Sequence, residues 1–158
     1  MAQTLYLLCG VPGSGKSTWG RAKAQAMNGT YISRDEVRFS LLQKGEEYFS
    51  HEEETWSIFT HKIQEAINSG AETIIVDATH NNEKSRNYLL DTLNIEGVNL
   101  VAVDFNLPLE VCLAQNAQRT GRARVPEEAI TRMWHAHTAP NSKSKYHYTE
   151  VIKIFKEE

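Results

Sequence analysis

One short segment, GVPGSGKS at residues 10–17, constrains this chain more than any other. It matches the phosphate-binding pattern G-x-x-x-x-G-K-[ST] and lies between a continuous apolar run and a segment of helical character. Glycines let successive backbone N–H groups curl around phosphate oxygens, and the following helix directs its positive end at the same anion. The alternative is a glycine turn that binds nothing, but the flanking strand and helix favour the phosphate site.

The loop predicts ATP and Mg²⁺ as ligands. Lys16 is expected to reach the β- and γ-phosphates, and the hydroxyl of Ser17 is expected to bind Mg²⁺. The residues expected to contact the nucleotide are Gly10, Pro12, Gly13, Ser14, Gly15, Lys16, Ser17 and Thr18.

Strand-like apolar runs (TLYLLC, TYIS, ETIIVD, VNLVAVDF and YTEVIKIF) alternate with helical segments. This order predicts an α/β fold of three layers, with a mainly parallel five-stranded sheet flanked by helices. With 41% of its residues apolar and 23% charged, the chain fits a single soluble domain over residues 1–158. Ser50 and Glu53 predict a capping box at the start of the longest helix.

The net charge of −3 argues against general affinity for nucleic acid, although a local basic cleft is compatible with it. No apolar run approaches the ~20 residues that span a bilayer, and MAQTLYLLCG lacks the basic lead of a signal peptide. The chain is therefore expected to be cytoplasmic, without a membrane partner. Cys9 and Cys112 are expected to be buried reduced thiols, with a disulfide or a metal pair as the alternative.

The segment SRDEVR, residues 33–38, places Asp35 between Arg34 and Arg38 directly after a strand-like run. Because ligands bind where the strands of a parallel sheet end, residues just past a strand are candidates for the site. A carboxylate there can accept the proton of an acceptor hydroxyl, and Arg38 can hold a phosphate of the acceptor. The alternative is that Asp35 is the first-turn acid of a helix, and the two interpretations are compatible.

Asp77 ends the apolar run TIIV and is predicted to contact Mg²⁺ or the acceptor. The pattern is common, and Asp104 after VAV is the weaker alternative. Thr79 and Arg86, which follow Asp77 in the chain, are further candidates for acceptor binding, as is Arg34. His80 is the histidine expected to lie nearest the cleft.

Arg119, Arg122 and Arg124 occupy a short loop between two helical segments. They predict a mobile lid, within residues 116–135, that brings positive charge to the triphosphate. Arg119 and Arg122 are the residues expected to bind the nucleotide. The alternative is a solvated basic loop.

Four segments, GVPGSGKSTW, SRDEVR, IIVDATHNNEKSR and NAQRTGRARVPEEAITRMW, closely resemble the kinase domain of the polynucleotide 5′-kinases, in matching order. The resemblance runs from about residue 3 to residue 134. It implies the P-loop kinase fold with an arginine-bearing lid, ATP and Mg²⁺ as ligands, and a nucleic acid 5′ end as acceptor. The chain differs in having Gln115 where an arginine is often found and His80 where an asparagine is frequent.

The resemblance also implies roles for single residues. In that family the loop lysine and serine bind ATP phosphates and Mg²⁺, which implies Lys16 and Ser17. The aspartate of the R-D-x-x-R element is the general base, which implies Asp35, and the arginine three residues later binds the acceptor's phosphate, which implies Arg38. The lid arginine contacts ATP, which implies Arg119. The phosphatase or ligase domains of some members are expected to be absent.

Three functions are compatible with these features. The first is an ATP-dependent kinase for the 5′-hydroxyl of RNA or DNA, which Arg38 supports. The second is a kinase for a small hydroxylated metabolite or nucleoside, which the acidic charge balance supports. The third is a non-catalytic nucleotide-binding protein, which the presence of Asp35, Arg38 and the arginine loop together opposes.

Overall fold

The fold is built on a sheet of five parallel strands in the order β2-β3-β1-β4-β5. The computed structural model describes residues 2–121, 124–141 and 144–155. The strands are β1 (Gln3–Cys9), β2 (Thr30–Ser33), β3 (Thr73–Asp77), β4 (Val98–Phe105) and β5 (Glu150–Ile154). The predicted five-stranded parallel sheet is confirmed.

Helices cover both faces of the sheet. They are α1 (Lys16–Met27), α2 (Arg34–Leu41), α3 (Glu52–Asn68), α4 (Glu83–Thr92), α5 (Leu109–Ala117) and α6 (Glu127–Ala136). On one face, Leu7 of β1 lies in a hydrophobic cluster with Phe59 of α3 and Leu89 of α4. On the other face, Leu8 of β1 clusters with Ile130 of α6. Successive residues of β1 thus point to opposite faces, which produces the predicted three-layer fold.

The carboxyl ends of three neighbouring strands meet at one edge of the sheet. In the parallel register, Asp77 of β3 is aligned with Leu8 of β1 on one side and with Ser33 of β2 on the other. The glycine loop leaves β1 immediately after Cys9, and α2 begins immediately after Ser33. The sheet therefore brings the loop, the start of α2 and Asp77 to the same place.

The helix starts agree only in part with the sequence prediction. Ser33 caps α2, and its hydroxyl accepts a hydrogen bond from the backbone N–H of Glu36 at 3.2 Å. The predicted capping box at Ser50 is wrong, because α3 begins at Glu52 after His51. The N–H of Ser50 instead donates to the carbonyl of Glu47 at 3.1 Å, in a turn that precedes the helix.

Both cysteines are buried and free, as predicted. Burial raises the pKa of the Cys9 thiol to about 12, so this thiol stays protonated near neutral pH. None of the helices in the described part of the chain has the length and apolar character needed to cross a bilayer.

Candidate phosphotransfer site

The glycine loop has a shape that other residues do not adopt without strain. Gly13 and Gly15 have φ angles of 85° and 90°, in the left-handed region. A Cβ on Gly13 would lie 2.3 Å from the carbonyl oxygen of Cys112, so the loop packs directly on the backbone of α5. This position therefore requires glycine for two reasons, backbone conformation and space.

Polar groups of the loop are buried and available for an anion. The Lys16 ammonium donates to the carbonyl of Val11 at 3.3 Å. The Ser14 hydroxyl is buried and has no partner among the described residues. A buried cation next to an unpartnered hydroxyl and a row of backbone N–H groups fits the predicted binding of ATP phosphates.

Two neighbouring oxygen-bearing side chains, one at the start of α1 and one at the end of β3, fit a divalent cation. The Ser17 hydroxyl donates to Oδ2 of Asp77 at 2.8 Å, and the Tyr31 hydroxyl donates to the same oxygen. Burial, followed by the neighbouring Asp77, raises the pKa of Tyr31, which keeps this donor protonated. Within the described ranges no lysine or arginine forms an ion pair with the buried Asp77, which leaves its charge for a metal. These hard oxygen ligands fit Mg²⁺.

Asp104, the weaker alternative for this role, has a different partner. It lies on β4 one register position further along than Asp77, opposite Cys9 of β1, and its Oδ1 is 2.7 Å from Nε2 of the His137 side chain. Asp77 is therefore the strand-end aspartate that reaches the glycine loop.

One cavity of about 720 Å³ connects the loop to the start of α2. Its wall contains residues predicted to bind phosphate, the acid predicted to act as base, and several aromatic rings. The principal lining residues are Pro12, Lys16, Ser17, Arg34, Asp35, Arg38, Tyr48, Phe49, Glu52, Glu53, Trp56, Asp77, Thr79, His80, Tyr88 and Arg119.

Asp35 is held in this cavity through one of its two oxygens. Oδ1 accepts hydrogen bonds from the Arg38 guanidinium and from the Tyr48 hydroxyl, the latter at 2.6 Å. Burial, followed by the charge of Asp35, raises the pKa of Tyr48, so its hydroxyl remains a donor. Oδ2 accepts no hydrogen bond from the described part of the chain, and the side chain is 42% exposed. Asp35 is thus oriented by one oxygen and open at the other.

Arg38 uses most of its donors on protein groups. Its Nε and Nη2 donate to the two oxygens of Glu52, both at 2.8 Å, and its Nη1 donates to Asp35 and to the Tyr48 hydroxyl. Four of its five N–H groups are therefore occupied. Burial lowers the pKa of Arg38, but its bonds to Glu52 and the nearby Tyr48 and Asp35 outweigh burial and raise it overall.

Arg34 is less committed than Arg38. It makes one contact with Glu52, from Nη2 at 3.4 Å, and its Nε is without a partner in the described ranges. Its guanidinium lies 5.2 Å from the centroid of the Trp56 ring. Arg34 thus keeps more donor capacity for a ligand than Arg38.

Thr79 and His80 close the cavity near the end of β3. The Thr79 carbonyl accepts from the N–H of Gly10 at 2.9 Å, which ties this segment to the glycine loop. His80 is buried with a φ of 42°, and its Nδ1 lies 2.7 Å from the carbonyl of Leu8. Nδ1 therefore carries the proton. Burial lowers the pKa of His80 to about 3, so the ring is neutral at physiological pH.

Arg86 does not lie where the sequence places it. It is only 1% exposed, on the face of α4 that also buries Leu89 and Leu90. Its Nη1 donates to the carbonyl of His80 at 2.9 Å, and its Nη2 donates to the Thr138 hydroxyl at 3.3 Å. The expected contact of Arg86 with the acceptor is therefore corrected: this arginine supports the backbone beneath the cavity.

The predicted arginine loop is only partly described. Arg119 lines the cavity, whereas Arg124 is exposed and Arg122 lies outside the described residues. The buried Asn116 side chain joins the two ends of the loop, because it donates to the carbonyl of Val125 at 2.7 Å and accepts from its N–H at 2.9 Å. Thr18, also predicted to contact the nucleotide, is exposed on α1 outside the cavity wall.

Tyr31, Tyr48 and Glu52 are site residues that the sequence did not reveal. Tyr31 contacts Asp77 from the neighbouring strand of the sheet, at a separation of 46 residues in sequence. Glu52 reaches Arg38 across the turn between α2 and α3. The only sequence signal for Glu52 was the acidic run that opens α3. That run is equally typical of a solvated helix start, so it did not single out Glu52.

The fold and the loop together define a P-loop nucleotide-binding protein of the kinase type. An AAA domain family matches residues 5–140, which is most of the chain. The chain belongs to this family. No curated protein matches the sequence.

Solved structures with the same fold differ in what they act on. A chain of the Pnkp1/Rnl/Hen1 RNA repair complex has a TM-score of 0.71 and 22% identity, over 85% of this chain and 44% of that one. A sugar kinase from a Janibacter species has a TM-score of 0.65 and 17% identity, over 97% and 86% of the two chains. Kti12 from Chaetomium thermophilum, in complex with ADP-AlF3, has a TM-score of 0.67 and 13% identity, over 96% and 88%.

These likenesses confirm the P-loop kinase fold and the resemblance to polynucleotide kinase domains. This chain spans less than half the length of the RNA repair chain. The same fold also carries a sugar kinase, so the acceptor is a separate question.

Proposed function

We propose that the chain transfers the γ-phosphate of ATP to the 5′-hydroxyl of a polynucleotide, with Asp35 as general base. The observation that carries this proposal is the shared cavity, in which Asp35 and Arg34 line the same space as Lys16, Ser17 and Asp77. A kinase needs this combination, because catalysis of phosphoryl transfer is mainly positioning and charge stabilisation.

In the proposed reaction, the open Oδ2 of Asp35 accepts the proton of the acceptor hydroxyl. The hydroxyl oxygen then bonds to the γ-phosphorus, the bond from the γ-phosphorus to the β–γ bridging oxygen breaks, and ADP leaves. Lys16 and Arg119 stabilise the negative charge on the phosphates. Mg²⁺, when bound by Ser17 and Asp77, neutralises phosphate charge at the same place.

Two arginines beside the base support a polynucleotide as acceptor. A 5′-terminal nucleotide carries a phosphate on its 3′ side, and a guanidinium is the side chain best suited to grip it. Arg34 has the greater free donor capacity, and Arg38 can join it if the Glu52 carboxylate gives way. Asp77 and Thr79 line the cavity near this place and complete the proposed acceptor site.

A kinase for a small hydroxylated molecule is the second candidate. The contacts of Arg38 favour it, because Glu52, Asp35 and Tyr48 already occupy four of its N–H groups. Two acids, Asp35 and Glu52, also balance the charges of Arg34 and Arg38, which leaves little net charge for a phosphorylated acceptor.

We propose that the domain extends over residues 1–158 and acts in the cytoplasm. ATP is supplied in that compartment, and free buried thiols such as Cys9 and Cys112 stay reduced there.

Radiolabelled ATP and Mg²⁺, offered with a 5′-hydroxyl oligonucleotide beside a panel of nucleosides and sugars, test the proposal. We expect label on the oligonucleotide, and a fall in kcat of about 10²- to 10⁴-fold in Asp35→Asn with ATP affinity unchanged. Glu36→Gln is the matched control, because Glu36 is the next residue of α2 and pairs on the surface with Arg21. Label on small molecules alone supports the second candidate, and tight ATP binding without transfer contradicts both.

A further inference from the structure

Two of the most exposed aromatic rings in the described part of the chain line the cavity that also contains Asp35. Four large apolar side chains are strongly exposed in the described part of the chain, namely Met27 (44%), Phe49 (59%), Tyr88 (63%) and Phe155 (57%). Phe49 and Tyr88 belong to the wall of the cavity. Exposed apolar rings in a cleft indicate a ligand surface rather than a packing defect.

Phe49 packs on Tyr48, one of the two side chains that hold Asp35. It packs against Tyr48 in an edge-on arrangement, with ring centroids 4.6 Å apart and an interplanar angle of 81°. Tyr48 donates to Asp35 at 2.6 Å, and the Arg38 guanidinium lies 5.6 Å from the centroid of the Phe49 ring. A group stacked on Phe49 would thus be close to the acceptor hydroxyl.

Tyr88 has a similar relation to Arg34. It packs on Trp56 with centroids 5.1 Å apart, and Trp56 in turn lies under the guanidinium of Arg34. The Arg38 guanidinium likewise lies 4.4 Å from the centroid of the Tyr48 ring. Each arginine beside Asp35 therefore lies over an inner ring, and each inner ring contacts an outer ring that is more than half exposed.

We propose that Phe49 and Tyr88 form a stacking subsite for a planar ring of the acceptor, the nucleobase next to the reacting hydroxyl. This inference rests on the proposed function and names the acceptor group that such a site recognises. Aromatic rings beside guanidinium groups bind bases through their faces and tolerate any base sequence. A sugar or polyol offers no such face, so the subsite favours nucleic acid or nucleoside over carbohydrate.

Leucine variants of the two rings test the subsite. Phe49→Leu and Tyr88→Leu are each expected to raise KM for a 5′-hydroxyl oligonucleotide about 5- to 100-fold, with ATP affinity and melting temperature unchanged. Phe155→Leu is the matched control, because Phe155 is equally exposed but lies outside the cavity wall. We expect its KM to equal that of the unaltered protein.

An oligonucleotide with an abasic 5′-terminal residue identifies the group that stacks. The unaltered protein should show a higher KM for this acceptor than for the normal oligonucleotide. The Phe49 and Tyr88 variants should show no further rise in KM for the abasic acceptor. Equal losses on abasic and normal acceptors would overturn the subsite.

The outcomes also separate this inference from the proposed function. Phosphorylation of the oligonucleotide with KM unmoved by either variant rejects the subsite and keeps the function. Transfer to nucleosides alone, with KM raised in the variants, keeps the subsite and rejects the polynucleotide acceptor. Transfer to sugars alone rejects both.

Discussion

The glycine loop, which we propose binds the nucleotide, and the Asp35 carboxylate, which we propose faces the acceptor, line one cavity but are held in different ways. The loop is shaped by glycines within eight residues, and Gly13 leaves no space for even one methyl group beside Cys112. Asp35 is held by hydrogen bonds from Arg38 and Tyr48, and Arg38 is held in turn by Glu52 of another helix. The comparison shows a nucleotide side fixed by local backbone geometry and an acceptor side fixed by exchangeable side-chain contacts.

The largest expected effect comes from adding a methyl group to the nucleotide side. Gly13→Ala combines left-handed strain with a clash against the Cys112 carbonyl, and should lower the free energy of unfolding by about 3 kcal/mol or more. Gly97→Ala adds the same methyl at a φ of 77° with no atom within 4 Å, and should cost only about 1–2 kcal/mol. Urea unfolding measures the stability of both variants, and ATP titration measures their affinity for nucleotide. Equal losses of stability in Gly13→Ala and Gly97→Ala would contradict a tightly packed loop.

His80 lies between the two sides and makes stability depend on pH. The folded protein keeps this ring neutral with a pKa of about 3, whereas the unfolded chain binds a proton below its ordinary value of 6.5. The contribution of the neutral His80 to stability is therefore fully present above pH 6.5 and is lost as the pH falls toward 3. The free energy of unfolding should fall by about 2 kcal/mol at pH 5.

The variant His80→Asn should remove this loss. Asparagine tolerates the left-handed backbone of residue 80 and does not titrate. Urea unfolding at pH 7 and pH 5 measures the change, and His61→Asn, at an exposed histidine of α3, should keep the original pH slope. A slope that persists in His80→Asn would show that other groups titrate in this range.

Glu52→Gln sharpens the description of the acceptor side. The change leaves the buried Arg38 with weaker partners and should lower the free energy of unfolding by about 1.5 kcal/mol. Because the guanidinium is then freer, we expect a lower KM for a 5′-hydroxyl oligonucleotide and no change for an uncharged small acceptor.

Glu53→Gln is the control for that prediction. Glu53 lines the same cavity and carries the same charge, but it has no ion pair with Arg38. Stability should change by less than about 0.5 kcal/mol. A KM for the oligonucleotide that is the same in both variants would contradict Arg38 as a contact for the acceptor's phosphate.

The smallest expected effect concerns Asp77, the proposed ligand of Mg²⁺. Tyr31→Phe removes the hydroxyl that donates to Asp77. Because such donors orient a metal ligand, the Mg²⁺ concentration that gives half-maximal transfer should rise about tenfold. Tyr146→Phe removes a comparable bond to the exposed Asp91 and should leave Mg²⁺ dependence unchanged. Titration of activity with Mg²⁺ distinguishes the two.

The sequence predicted the features that depend on short-range pattern. The glycine loop, the parallel sheet and the strand-end position of Asp77 follow from apolar runs and from residues within a few positions of each other. The buried setting of Arg86 also had a signal, since residues 86, 89 and 90 share one helical face and two of them are leucines. That periodicity competes with the expectation that an arginine near a cleft binds an anion.

The remaining site features depend on contacts that no local pattern encodes. Glu52 meets Arg38 because the turn after α2 brings α3 alongside it, and Tyr31 meets Asp77 because β2 pairs with β3. The start of α3 was mispredicted for a similar reason, since Ser50 belongs to a turn closed by Glu47. Side-chain partners across elements are set by packing, and local propensity does not specify them.

The two hydrogen bonds of Asn116 have a consequence for how the protein can be altered. They are buried and hold residues 116 and 125 next to each other. The ends of the intervening stretch therefore stay together whatever its length. Apart from Arg119, the described residues between them are exposed, and exposed stretches with fixed ends accept inserted residues well. A short reporter peptide or a fluorophore placed there should leave the sheet intact, and its signal should respond to nucleotide if Arg119, which lines the cavity, binds the phosphates as proposed.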